Sequence, residues 1–232
     1  MSQAAAIHLR PTAPLAERVL LPGDPGRALM LAQALLSEPR MFNHHRGLWG
    51  YTGAAADGQP ITIQATGMGG PSAAIVLTEL ISLGARRAVR VGTCGALAPD
   101  IELGELIVAG EAICADGTSR AVCGCERVSA DATITSALLR EAAGARAGTI
   151  ESIDLFYPSG KRQQVHDPGA LAVEMEAAAL FAVGAAAGIQ VGCALTVSDT
   201  FDEVGTRRRI ADAHLQEAAE RMGRVAIAAL SG

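Results

Sequence analysis

Short apolar runs that stop at glycine-rich loops, each followed by helical spacing, recur along this chain. That alternation limits its fold more than any other feature. Val19-Leu20-Leu21 stops at Pro22-Gly23-Asp24-Pro25, and helical spacing follows over residues 27–36. Residues 61–65 break at Gly67-Met68-Gly69-Gly70, before a helix over 71–83. Residues 88–91 end at Gly92-Thr93-Cys94-Gly95, and 106–109 and 191–197 read as further buried strands. A last amphipathic helix spans 207–230, with Ile210, Leu215, Met222, Val225 and Ile227 among its apolar positions. Strands alternating with helices predict an α/β fold: one domain over 1–232, with a mixed, mostly parallel central sheet covered by helices. No linker or internal repeat interrupts it.

Composition removes other classes. Half of the 232 residues are hydrophobic and 19% are charged, which excludes a disordered chain. Nineteen basic against 24 acidic residues give a net charge of −5, arguing against a nucleic-acid surface. Aromatics supply only 3%, so small side chains must pack closely. The uncharged stretch 177–198 is long enough to imitate a membrane span, but Gly184, Gly188, Gln190 and Gly192 interrupt it. It reads instead as a helix to about Ala187, ended by Gly188, and then the strand 191–197. Five cysteines (Cys94, Cys114, Cys123, Cys125, Cys193), with no basic or apolar leader at the start, point to reduced thiols in the cytoplasm. Cys123-Gly124-Cys125 lacks a second ligand pair, so no metal site is expected.

Ligands of such sheets sit at the carboxyl ends of strands, where the unusual residues of this chain fall. Gly23-Asp24-Pro25-Gly26-Arg27 suits an anion at a helix start, or is an ordinary helix entry. Gly67-Met68-Gly69-Gly70-Pro71-Ser72 nearly spells a dinucleotide fingerprint, with Ser72 in place of the third glycine. It reads as backbone approaching some other small ligand, or as a tight turn. Arg90, at the end of an apolar strand, needs an anionic partner: an oxyanion, with Thr93 beside it, or a core carboxylate. Cys94 is a rival nucleophile, with His44, His45, His166 and His214 as available bases. Glu174 and Glu176, two apart, do not face one another along a helix, which argues against a dyad sharing a proton. They cap the helix, or one holds a pair of ligand hydroxyls. Asp199 either caps the next element or is a general acid whose pKa burial raises.

Six motifs in order resemble the hexameric branch of the nucleoside phosphorylase family, which includes purine and uridine phosphorylases. They are Leu21-Pro22-Gly23-Asp24-Pro25-x-Arg27, Thr66-Gly67-Met68-Gly69-Gly70-Pro71-Ser72, Arg90-Val91-Gly92-Thr93-Cys94-Gly95-Ala96, Phe156-Tyr157-Pro158, Val173-Glu174-Met175-Glu176-Ala177-Ala178 and Val197-Ser198-Asp199. The resemblance implies phosphate held by Gly23, Arg27, Arg90 and Thr93, with Arg46 reaching in from a neighbouring subunit. It implies ribose held by Met68, Met175 and Glu176, with the neighbour's copy of His8 near the 5′-hydroxyl. Cys94, Gly95, Phe156, Val173 and Ser198 would surround the base, and Asp199 would protonate a leaving purine.

The implied reaction is reversible phosphorolysis of the N-glycosidic bond, giving free base and pentose 1-phosphate. Inorganic phosphate is the co-substrate, and no metal or organic cofactor takes part. The implied assembly is a homo-oligomer with shared sites, a dimer at minimum and a hexamer as the full state, with no membrane or nucleic-acid partner. Ser198-Asp199 is purine-like. By contrast Ile7-His8-Leu9, the run 66–72 and Phe156-Tyr157-Pro158 with Arg162 are closer to uridine enzymes. Those enzymes carry a glutamine where Gly160 stands here, and that missing half of the pyrimidine clamp tips the reading to purine. The resemblance does not settle which of Arg207, Arg208 and Arg209 serves Asp199. A nucleosidase, with no use for converging arginines, and a non-catalytic nucleoside-binding protein are the other readings.

Overall fold

The computed structural model describes residues 6–157, 166–201 and 206–231. Pro158, Gly160 and Arg162 lie outside these. The described elements run β1 (Arg18–Leu21), α1 (Pro25–Leu35), β2 (Ser37–Asn43), a 3-10 turn (His45–Gly47), β3 (Gly50–Ala54), β4 (Pro60–Gln64), α2 (Gly70–Leu83), β5 (Arg87–Ala96) and β6 (Leu106–Ala115). There follow α3 (Gly117–Cys123), β7 (Arg127–Ser129), α4 (Ala132–Glu141), β8 (Arg146–Ile153), β9 (Ala172–Glu174), α5 (Ala177–Ala187), β10 (Gln190–Phe201), β11 (Arg207–Arg209) and α6 (Asp212–Leu230).

The sheet is mixed, as expected. β5, β10, β6, β8 and β9 close on themselves, because β10 pairs with both β5 and β6 while β9 pairs with both β8 and β5. β1, β4, β3 and β2 continue from β5 as an open wing. The long β10–β5 and β6–β8 ladders are parallel, and the wing's outer pairs are antiparallel. Period-two alternation splits the core between the two faces. Val191, Cys193, Leu195 and Val197 of β10 pack with α2 and α5, whereas Ala194 belongs to the core under α1, α4 and α6. α5 is apolar all round and buried along most of its length. At Gly184 a Cβ would lie 2.4 Å from Val191 Cγ2, so the helix can lie this close to β10 only without a side chain there. No described helix is long and apolar enough to cross a membrane.

Four expectations need correction. The strand expected over 88–91 continues to Ala96, so Gly92-Thr93-Cys94-Gly95 is ladder rather than loop, paired by β10 and, from Gly95, by β9 as well. The strands expected over 106–109 and 191–197 likewise extend to Ala115 and Phe201, because β8 and β11 supply partners beyond the apolar runs. The last helix starts at Asp212, and Arg207–Arg209 is a strand antiparallel to Asp199–Phe201. Finally, the thiols are not all reduced: Cys123 and Cys125 form a disulfide. α3 ends at Cys123, and Gly124 in the left-handed region (φ 65°) turns the chain back, bringing the two Cα atoms to 5.2 Å, within bridging range.

Candidate functional site

The ends of β1, β4, β5, β9 and β10 assemble the site. Thr66 N–H donates to the Pro22 carbonyl (2.9 Å) and Gly67 N–H to that of Gly23 (3.0 Å), tying the first two loops side by side. Gly67 and Gly69 have φ of 76° and 86°, which side chains rarely adopt, so the loop between β4 and α2 depends on glycine. Asp24 caps α1 by accepting the Arg27 N–H at 2.6 Å. This loop is therefore a capped helix entry, and the cap uses the Arg27 backbone but not its side chain.

Arg90 is 3% exposed and lies between two carboxylates. Its Nε is 2.8 Å from Glu174 Oε2 and its Nη2 2.5 Å from Glu176 Oε2. Burial alone would lower its pKa, but Glu176 and Glu174 outweigh that and hold the guanidinium charged. Gly92 makes the room, since a Cβ there would lie 2.8 Å from the guanidinium carbon. Nε meets Glu174 at ion-pair distance but without hydrogen-bond alignment, and Nη1 has no hydrogen-bond partner among the described residues and faces Gly23, where a Cβ would lie 4.0 Å away. The ion-pair reading of Arg90 thus holds for part of the group, and a donor remains. Arg27 is half-buried beside it and makes no ion pair among the described residues. Burial lowers the Arg27 pKa, and Arg90 and Arg209 add repulsion that Asp24 and Glu176 only partly oppose. Two neighbouring cations with an unpartnered N–H have the chemistry to receive an oxyanion.

The two glutamates have separate tasks. Glu174 ends β9 and accepts the Ala177 N–H (3.0 Å) and Glu176 N–H (2.9 Å), capping α5 in place of Glu176. It also accepts from Ser152 Oγ. Glu176 is 6% exposed and accepts the Gly69 N–H at 2.5 Å on its other oxygen. Burial raises its pKa, with Arg90 opposing. Met175 is half-buried between them, and Met68 is 88% exposed on the facing loop. These groups suit a polyhydroxy ligand above the anion.

An apolar cleft adjoins. Gly95 is flanked by Val173 and Phe201, whose atoms would lie 3.5 and 3.4 Å from a Cβ at that position. Asp199 pairs with Gly95 in the β10–β5 ladder. β11 then decides the question of its arginine: alternation along a strand puts Arg207 and Arg209 on one face and Arg208 on the other. Arg207 Nε lies 2.7 Å and Arg209 Nη1 3.2 Å from Asp199 Oδ1, and Ser198 Oγ donates to Oδ2 at 2.7 Å. Arg207 also stands 5.0 Å over the Phe156 ring. The expected rise in the Asp199 pKa is therefore reversed: burial pushes it up, but Arg207 and Ser198 outweigh burial and hold the carboxyl below its ordinary value.

Thr93 is half-buried in β5 opposite Thr196. Cys94 is not a nucleophile. It is 3% exposed in the core, burial and then Glu174 push its thiol far up, and its Sγ is turned to the Thr196 carbonyl rather than to a histidine. The Cys94 carbonyl oxygen lies 3.2 Å from Ser198 Oγ, whose one hydrogen goes to the nearer Asp199. His8 and Arg46 stand together elsewhere. His8 Nδ1 is 2.6 Å from buried Glu79, which also accepts the Ile7, His8 and Leu9 N–H groups. His45 Nδ1 lies 2.9 Å from the His8 carbonyl, and exposed Arg46 follows with φ 59°, an uncommon conformation for a residue with a side chain. Neither His8 nor Arg46 has a described contact with Arg27, Arg90 or Glu176.

Sequence reasoning missed Glu79, Ser152, Phe201 and the Arg207–Arg209 pairing. Only the last left a signal, in that alternate residues of a strand share a face.

Residues 17–231 match the model of the phosphorylase superfamily. A purine nucleoside phosphorylase DeoD-type of Oceanobacillus iheyensis is 37% identical over 198 residues, covering 80% of this chain and 83% of that protein. Proteins of the same name from Caldanaerobacter subterraneus subsp. tengcongensis and Bacillus cereus are 38% and 37% identical, covering 80% of this chain and 84% and 82% of their own lengths.

Proposed function

This chain belongs to the phosphorylase superfamily, and we propose on that premise that it cleaves purine nucleosides with inorganic phosphate, reversibly, to free base and pentose 1-phosphate. The observation that carries the reading is the buried Arg90 guanidinium, held by Glu174 and Glu176 with Nη1 left to face Gly23, and with Arg27 close enough to feel its charge. Phosphate there, with Thr93 beside it, lies beneath C1′ as nucleophile and as countercharge to an oxocarbenium-like transition state. Glu176 and Met175 receive the ribose, with Met68 over it. Gly95, Phe156, Val173, Ser198 and the wall formed by Cys94 receive the base. No metal or organic cofactor enters this scheme.

Asp199 faces the leaving base. Because Arg207 and Ser198 favour its carboxylate form, it stabilises a proton arriving at purine N7 from solvent rather than supplying its own. The relatives named as purine enzymes support the purine over the uridine reading. A panel of purine and pyrimidine nucleosides, assayed with and without phosphate, tests it. Phosphate-dependent release of purines is expected, and preferential release of uracil overturns the base assignment.

His8 and Arg46 complete a neighbour's site in this reading, making a dimer the minimal unit and a hexamer the full assembly. Their shared position supports it, as does the exposed apolar surface of Ile7, Met41 and Trp49 from the same segments. A light-scattering mass equal to one active chain overturns it.

A further inference from the structure

The sequence offers Cys123-Gly124-Cys125 alone, but the fold adds a third sulfur. Cys114 lies near the end of β6, and its N–H donates to the Glu126 carbonyl at 2.8 Å, prolonging the β6–β7 ladder by one step. That step sets Cys114 beside the chain returning from α3. α3 is fixed at its start by Asp116, which accepts the Ser119 N–H at 2.7 Å, and at its end by the Gly124 N–H, which donates to the Arg120 carbonyl at 2.8 Å. The Sγ atoms of Cys114, Cys123 and Cys125 all lie within 4.8 Å of one another. Cys123 and Cys125 are bonded, and Cys114 is a free, buried thiol. Cys123 is exposed and Cys125 half-buried, so solvent reaches the bond from one side while Cys114 stands beneath it.

We propose that Cys114, Cys123 and Cys125 form a thiol–disulfide exchange centre that takes small dithiols as its reductant and is distinct from the nucleoside site. A dithiol's thiolate attacks Cys123 Sγ, and the S–S bond breaks with its electron pair leaving on Cys125, which takes a proton. The dithiol's second thiolate then attacks the mixed disulfide, releasing the dithiol as a cyclic disulfide and Cys123 as a thiol. Two electrons and two protons pass to the protein. The third sulfur gives the centre an internal route: the Cys114 thiolate can attack Cys125, forming a Cys114–Cys125 bond and freeing Cys123 at the surface. The Cys125 N–H, 3.3 Å from Cys123 Sγ, stabilises charge on that leaving sulfur. Burial, with Asp116 adding, raises the Cys114 pKa while Ser119 and Arg120 partly offset it, so Cys114 rests as a thiol and the surface bond persists.

Alkylation in denaturant followed by peptide mapping tests this on the full chain. Without reductant, Cys94, Cys114 and Cys193 should be labelled, and the peptide holding Cys123 and Cys125 should lack two hydrogen atoms. After dithiothreitol is applied to the native protein and removed, all five should be labelled. The third sulfur is tested with Cys125→Ser incubated with oxidised glutathione, where a Cys114–Cys123 bond should form within one chain. Five labelled cysteines in wild type, both as purified and after oxidised glutathione, overturn the proposal. A Cys125→Ser protein in which Cys123 carries only glutathione while Cys114 stays free also overturns it. Should that variant not fold, Cys123→Ser is read in the same way for a Cys114–Cys125 bond.

Discussion

Arg90 is held too firmly by the protein to serve as a clean probe of the anion it faces. Arg90→Ala leaves Glu174 and Glu176 buried and unpaired, which costs about 3–5 kcal/mol, and Glu174 also caps α5. We expect a large drop in melting temperature together with loss of activity, and an unchanged melt would contradict the ion-pair geometry. Asp199 offers a sharper residue test. Its folded pKa is depressed, so its carboxylate is present above that value and lost as pH falls through it. Arg207→Ala removes the leading opponent of burial and raises the Asp199 pKa. The acid limb of the kcat/KM profile should therefore move to higher pH. An alkaline limb that moves instead would mean that the protonated form is the working one, and two unmoved limbs would contradict any role for Asp199 titration.

At the scale of elements, α5 must lie against β10 for Glu174 and Glu176 to meet Arg90. Gly184→Ala places a methyl group 2.4 Å from Val191 Cγ2, and overpacking of this kind costs about 1–3 kcal/mol. A thermal melt should show it, and equal stability would contradict the close approach. The apolar starts of the strands around this contact, and the glycine loops after β1 and β4, were legible in the sequence because buried parallel strands are continuous apolar runs, whereas Gly92–Gly95 read as a loop and is strand. β2 was not, since exposed polar residues such as Ser37, Glu38 and Arg40 interrupt its pattern, and β3 and β8 were not because Gly50, Gly53 and Gly148 and the polar Thr52, Thr149 and Glu151 leave no apolar run. In the site, Arg90 and Glu176 stood out as charges amid apolar residues. Ser152 and Glu79 did not, because their roles come from partners distant in sequence. Arg207 and Arg209 were visible but read on a helix. Only pairing with Asp199–Phe201 shows that they share a face.

At the scale of the whole molecule, the chain's end is tied to the sheet's open wing. Buried Arg18 Nη1 lies 2.6 Å from Asp57 Oδ2, and Ser231 Oγ donates to the same oxygen at 2.6 Å. The Arg18 hydrogen bond, with Ser231, holds Asp57 well below the usual carboxylate range. This stability is present above the unfolded pKa of about 3.9 and is lost as pH falls below it. Because Asp57 is exposed and Arg18 keeps other acceptors, Asp57→Asn should cost no more than about 1 kcal/mol at neutral pH, in a denaturant titration, with the gap to wild type closing in acid. A gap independent of pH would contradict the assignment.

The wing and the closed ring meet at β1 and β5, and Arg27 and Arg90 follow from those two strands. Arg27 makes no ion pair within the described chain, so Arg27→Ala spares the fold. The decisive measurement is the initial rate of base release from inosine against phosphate concentration, in wild type and Arg27→Ala. The account predicts no release without phosphate, saturation in wild type, and a phosphate KM raised at least about tenfold in the variant, the loss of one charge-assisted contact. Base release at the same rate without phosphate, or an unchanged phosphate KM in Arg27→Ala, would contradict it.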